Sequence, residues 1–163
     1  MKNSIIVLLI AILMLSCKAQ PDPTRFSEDA LNDTFVNLEG ESVNLKTILN
    51  KHKGEIIVID IWASWCRDCI VGMPNLKALQ NEYADATYLF ISMDKSQKSW
   101  KNGIDKYNIT GEHYFMPKGW KSQFSKSIDL DWVPRYMVIN AEGQIALFRA
   151  IKAEDSTLKN HLK

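Results

Sequence analysis

Two hydrophobic periodicities alternate along the chain. Glu55 to Trp62 and Thr87 to Met93 are near-continuous apolar runs, the pattern of strands covered on both faces. Between them Ile70, Met73, Leu76, Leu79 and Tyr83 recur every three or four residues, predicting the buried face of a helix that ends near Tyr83 and is kinked at Pro74. Ser96 is placed to cap a second helix running to about Lys106, with Trp100, Ile104 and Tyr107 on its inner side. Upstream, Thr34 to Leu38 and Ser42 to Leu45 flank Glu39-Gly40-Glu41 and read as a β-hairpin. A short helix from Lys46 to His52 follows, closed by Gly54. Downstream, Arg135 to Asn140 and Gln144 to Ala150 form a second hairpin around Ala141-Glu142-Gly143, and Glu154 to Leu162 reads as a closing helix. Pro117 and Gly119 interrupt the pattern between Gly111 and Ser127, where an extended piece near Tyr114 and a helix from about Gly119 to Lys126 are predicted. Strands alternating with helices and ending in a hairpin predict an α/β domain with a mixed central sheet and helices on both faces.

The first residues stand apart from this pattern. Lys2 precedes an unbroken apolar run, Ile5 to Leu15, that ends at Ser16-Cys17. Such a run is short for a membrane span and has the layout of a secretory signal peptide. Met14-Leu15-Ser16-Cys17 resembles the lipobox of bacterial lipoproteins, with Met14 where Leu is usual. That resemblance implies cleavage after residue 16, a lipid on Cys17 and attachment to a membrane, inner or outer. A plain cleaved signal and a short uncleaved anchor are the other readings, and both also export the domain. Lys18 to about Asp29 is polar and carries Pro21 and Pro23, as suits a flexible tether. The expected organisation is therefore signal 1–16, lipidated Cys and tether 17–30, and one folded domain 31–163.

Composition narrows the possibilities. At 46% hydrophobic and 24% charged residues, the chain can bury a core of its own. Cleavage before Cys17 removes Lys2 and no acidic residue, taking the formal charge of +1 to zero. A neutral chain with no basic cluster lacks the footprint of a nucleic-acid binder. With Cys17 assigned to the lipid, Cys66 and Cys69 are left as a close pair in an exported protein.

That pair sits between the buried strand and the following helix, with Cys66 at the helix N-terminus and Cys69 one turn inside. Free N–H groups and the helix dipole favour a Cys66 thiolate, the species that attacks disulfides. Cys69 is then placed to resolve the mixed disulfide. Arg67 favours the thiolate and Asp68 opposes it, so the pair can serve a reductant or an oxidant. A zinc site needs four ligands, and His52, His113 and His161 are scattered singly; neither metal nor cofactor is expected.

Ile59-Asp60-Ile61-Trp62-Ala63-Ser64-Trp65-Cys66-Arg67-Asp68-Cys69 closely resembles the active-site strand and turn of the thioredoxin superfamily. Pro74 matches the family's helix-kinking proline, and Val133-Pro134 resembles its cis-proline beside the dithiol. The resemblance implies a thioredoxin-like three-layer sandwich. It also implies that Asp60 is a buried acid exchanging protons with the resolving thiol, and that Val133 and Pro134 pair with a substrate main chain. Trp65 is then a partly exposed substrate contact.

The leading hairpin, a long spacing between Cys69 and Pro134 that makes a central insertion, and the export signal together resemble TlpA/ResA-like proteins. Members of that branch mostly reduce protein disulfides in the cell envelope, with electrons from a membrane-embedded thiol carrier, and some serve cytochrome c maturation. Arg67-Asp68 departs from the small or neutral residues common between the family's cysteines, which puts an inherited redox potential in doubt. A peroxiredoxin-like peroxidase and a lipoprotein adaptor with a purely structural disulfide are the competing functions.

Overall fold

The computed structural model describes residues 21–163; the signal segment and Cys17 lie outside them. Seven strands form one mixed sheet: β1 (Thr34–Val36), β2 (Ser42–Asn44), β3 (Ile57–Trp62), β4 (Thr87–Ser92), β5 (Glu112–Phe115), β6 (Arg135–Ile139) and β7 (Ile145–Ala150). Their spatial order is β2-β1-β5-β4-β3-β6-β7. β3, β4 and β5 run parallel, whereas β6, β7 and the leading hairpin are antiparallel to their neighbours. Among the described residues the helices are α1 (Glu28–Leu31), α2 (Leu45–Lys51), α3 (Arg67–Glu82), α4 (Gln97–Tyr107), α5 (Gln123–Ser127) and α6 (Ser156–Asn160).

Every residue of β3 and β6 is buried. Side chains alternate across a strand, so complete burial requires cover on both faces, as the apolar runs predict. The leading hairpin attaches to the parallel strands through β5, where Val36 pairs with Phe115.

Local chemistry explains most boundaries. Ser96 Oγ accepts the Ser99 N–H and caps α4. Trp100 is fully buried on that helix, while Ile104 and Tyr107 are only half-buried. On α3 the buried stripe begins at Cys69 rather than Ile70 and continues through Met73, Leu76 and Leu79. Pro74 lies within the continuous helix.

Three sequence expectations shift. The folded body reaches back to Thr24, ahead of the boundary expected near Leu31: the Ile145 N–H donates to the Thr24 carbonyl at 2.8 Å. Phe26 packs on Phe124 with ring centroids 5.8 Å apart, and a Ser27-capped turn of helix buries Ala30. The polar, Pro-containing composition of this stretch conceals its one aromatic anchor and its cap. The helix expected from Gly119 to Lys126 is divided into a 3₁₀ turn, Gly119–Lys121, and α5. Ser122 stops the first and caps the second by accepting the Ser125 N–H. The closing helix is shorter than expected because Asp155 caps it late, accepting from Thr157.

Gly103 marks the tightest contact between α4 and the strand–helix turn. A Cβ there would lie 2.6 Å from Ser64 Cβ and 3.1 Å from the Trp62 ring. Overpacking typically costs about 1–3 kcal/mol, against a gain of about 1 kcal/mol in helix propensity. Gly103→Ala is therefore expected to lose up to about 2 kcal/mol in a urea titration of the oxidised protein. A rise in stability would show instead that α4 shifts freely away from the turn.

Candidate active site

The site grows out of the end of β3. Ala63, Ser64 and Trp65 turn the chain, the Cys66 N–H donates to the Ala63 carbonyl at 3.0 Å, and α3 begins. Cys66 is the N-cap residue of this 16-residue helix. Its sulfur is bonded to that of Cys69, with the two Cα atoms 5.3 Å apart, and accepts the Cys69 N–H at 3.1 Å. A sulfur in this position faces the free N–H groups and positive end of the helix, which stabilise it as a thiolate once reduced.

The Val133-Pro134 peptide bond is cis, and the Val133 carbonyl oxygen lies 3.5 Å from Cys66 Sγ. The loop before β6 thus lies against the dithiol, although 67 residues separate Cys66 from Val133 in sequence. Both cysteines are largely buried, and Cys66, unlike Cys69, lines a groove of about 490 Å³. Its lining comes from Trp65, Cys66, Arg67 and Asp68 of the β3–α3 turn and from Trp120, Asp131, Trp132 and Val133 of later segments.

Asp60 is buried in the middle of β3, opposite Tyr136 of β6. Its Oδ1 has no hydrogen-bond partner among the described residues. Burial raises its carboxyl to about 8, because a charge is poorly solvated in the interior. The Tyr136 hydroxyl is pushed well above its usual range, first by burial and then by Asp60.

The motif residues read from the sequence leave out the supports of this site. Asp94, beyond the end of β4, accepts the Ser64 N–H at 3.1 Å and the Ser64 hydroxyl at 2.6 Å. Ser92 donates to the same carboxylate at 2.8 Å. This buried carboxylate ties the turn carrying Trp65-Cys66 to the neighbouring strand. Trp120 and Trp132 also escape sequence reasoning. Trp132 stands beside Val133-Pro134, a readable signal, whereas Trp120 reaches the site only through the chain path. Of the histidines, His52 lies 3.0 Å from Glu55, His113 stacks on Phe90, and His161 is exposed.

The thioredoxin-like family pattern matches residues 54–145, over half of the chain. The chain belongs to the thioredoxin-like family. Among its relatives, the thioredoxin-like protein YneN of Bacillus subtilis is 33% identical over 87 residues, 51% of this chain and 49% of YneN. The chain thus spans about half the length of that relative. The thiol-disulfide oxidoreductase ResA of Bacillus thuringiensis is 24% identical over 120 residues, 66% of this chain and 67% of ResA. In three dimensions, the thioredoxin domain of a thiol-disulfide oxidoreductase from Bacteroides vulgatus superposes with a TM-score of 0.68 at 21% identity, covering 85% of this chain and 98% of that domain. The thioredoxin-like fold expected from the sequence is therefore the one observed.

Proposed function

We propose that this thiol-disulfide oxidoreductase reduces protein disulfides in the bacterial cell envelope by cycling Cys66 and Cys69 between dithiol and disulfide. The observation that carries the reading is the Cys66 sulfur, held at the start of α3, against the Val133 carbonyl, on the edge of an open groove.

The Cys66 thiolate attacks one sulfur of a substrate disulfide. One S–S bond forms, the substrate S–S bond breaks, and the substrate's other sulfur leaves as a thiolate. Cys69 then loses its proton, with Asp60 in its ionised form as the proposed acceptor, and attacks Cys66 Sγ. The second substrate thiolate departs, and two electrons have passed to the substrate while Cys66 and Cys69 become joined. A dithiol donor must supply two electrons to reopen that bond, and a membrane-embedded thiol carrier suits an exported enzyme. Val133 and Pro134 receive the substrate main chain, and Trp65 packs against it.

The envelope location rests on the apolar run Ile5 to Leu15 and on Cys17. Cys17 is the proposed lipid attachment site, leaving the folded body periplasmic and tethered to a membrane. Among the described residues no helix is long and apolar enough to cross a membrane.

The test incubates the reduced protein with insulin and follows thiol release, then equilibrates it in glutathione buffers with alkylation and mass readout. Catalysed thiol release is expected, with a potential on the reducing side of the range from roughly −270 to about −120 mV that related dithiols span. Rapid peroxide consumption without any disulfide reduction would favour a peroxidase and overturn the proposal.

A further inference from the structure

We infer that Trp120 and Trp132, together with Trp65, form a recognition wall selecting substrates with a bulky apolar or aromatic side chain beside the cysteine under attack. The inference rests on the reductase reading above and deepens it by naming a substrate class.

Three indoles surround the groove that ends at Cys66, and all are substantially exposed: Trp65 by 53%, Trp120 by 45% and Trp132 by 59%. An indole buries much of its surface wherever the fold permits, and exposed clusters of aromatic surface mark recognition sites. Each of these three comes from a different segment: the β3–α3 turn, the 3₁₀ turn after β5, and the loop before β6. Their convergence on one groove is a product of the fold.

The two distant segments are also held in place from below. Asp33 is buried and accepts the Phe124 N–H at 3.0 Å, while Lys118 Nζ donates to its other oxygen at 3.3 Å. These contacts flank Trp120 in sequence. Burial acts to raise the Asp33 carboxyl, but the hydrogen bonds from Phe124, Thr34 and Lys118 outweigh it and hold it below the usual range. Within the same segment Ser125 Oγ donates to the Gly119 carbonyl at 2.9 Å.

Arg135 supports the other segment. Its guanidinium is fully buried, donating from Nη1 to the Ile128 carbonyl at 3.1 Å and from Nη2 to Asp131, next to Trp132. Burying an aspartate and an arginine is costly unless each is well bonded. Asp33 holds Lys118 and Phe124, and Arg135, whose Nε has no partner among the described residues, holds Ile128 and Asp131; together they fasten the stretch from Lys118 to Asp131 that carries Trp120 and leads into Trp132. A preformed wall lowers the entropy lost on binding.

The groove's size falls within the range of small-ligand clefts, enough for a side chain next to the scissile sulfur. Arg67, Asp68 and Asp131 supply charges of both signs at its rim, so apolar surface is what distinguishes one substrate from another.

The test compares two synthetic peptides of equal length and charge, each carrying a mixed disulfide, with either Phe or Ser directly after the cysteine. Hydroxyethyl disulfide serves as a small substrate without a side chain. The reduced full chain is expected to favour the Phe peptide by about tenfold or more in kcat/KM. Trp120→Ala and Trp132→Ala should each reduce that ratio to within about threefold, whereas Trp120→Phe and Trp132→Phe keep most of it. Because the ratio is measured on one preparation, partial unfolding of a variant cancels. Equal rates on both peptides, or a ratio unchanged in both alanine variants, would overturn the wall and leave the reductase reading standing. Inactivity on the peptides and on hydroxyethyl disulfide alike would overturn the reductase reading and the wall with it.

Discussion

Replacing Cys66 by Ser should take disulfide reduction to the uncatalysed background, a loss of roughly a thousandfold or more in kcat/KM. Cys69→Ser should instead accumulate as a mixed disulfide with its substrate, visible as a mass shift on non-reducing gels. The asymmetry follows from geometry. Cys66 borders the open groove and caps α3, while Cys69 heads the buried stripe of that helix. A serine at 66 leaves no thiolate to attack; a serine at 69 leaves the attack intact but removes the group that completes it. Equal trapping by both variants would mean that the two sulfurs are interchangeable, contrary to the place of Cys66 alone at the groove and the helix cap.

Asp60→Asn should stabilise the oxidised protein by about 5–6 kcal/mol at pH 8.5, and the gain should shrink towards zero near pH 4. Burial raises the Asp60 carboxyl from the ordinary 3.8 to about 8. Between those values the folded chain holds a proton that the unfolded chain has released. Stability is then fully present below pH 3.8 and declines by about 1.4 kcal/mol per pH unit until about pH 8. An amide carries no charge to desolvate and escapes that decline. Urea titrations of both proteins at several pH values measure the difference directly. A gain independent of pH would show that Asp60 is not protonated in the folded state. The same substitution removes the proposed proton acceptor for Cys69, so release of the second substrate thiol should slow.

The sheet was legible because its strands follow local rules. β3 and β6 are fully buried apolar runs, and α3 and α4 show three- and four-residue spacing behind a turn or a Ser cap. The proximity of Cys66 to Val133 was legible only through resemblance, since nothing in the intervening residues encodes it. The remainder depends on tertiary contacts that leave no periodic trace. Asp33 reads as one more polar residue near a turn, yet it accepts a hydrogen bond from Phe124, far along the chain. Arg135 opens an apolar strand and looks like an edge residue, yet its side chain is fully buried beneath the loop carrying Trp132. Trp120 lies in the stretch that Pro117 and Gly119 made hardest to read, and its place beside the dithiol depends on how β5 leads back across the sheet.

The hydrogen bond from Ile145 to Thr24 bears on the reach of the anchored protein proposed above. Thr24 is pinned to the start of β7, so under the proposed lipidation of Cys17 the leash is the stretch between those two residues. Fully drawn out, seven steps of chain measure about 25 Å. With a lipid on Cys17, as proposed, the catalytic groove patrols a thin layer above the bilayer. Clients and electron donors then have to meet it at the lipid surface, and lengthening the leash should widen the range of proteins it serves.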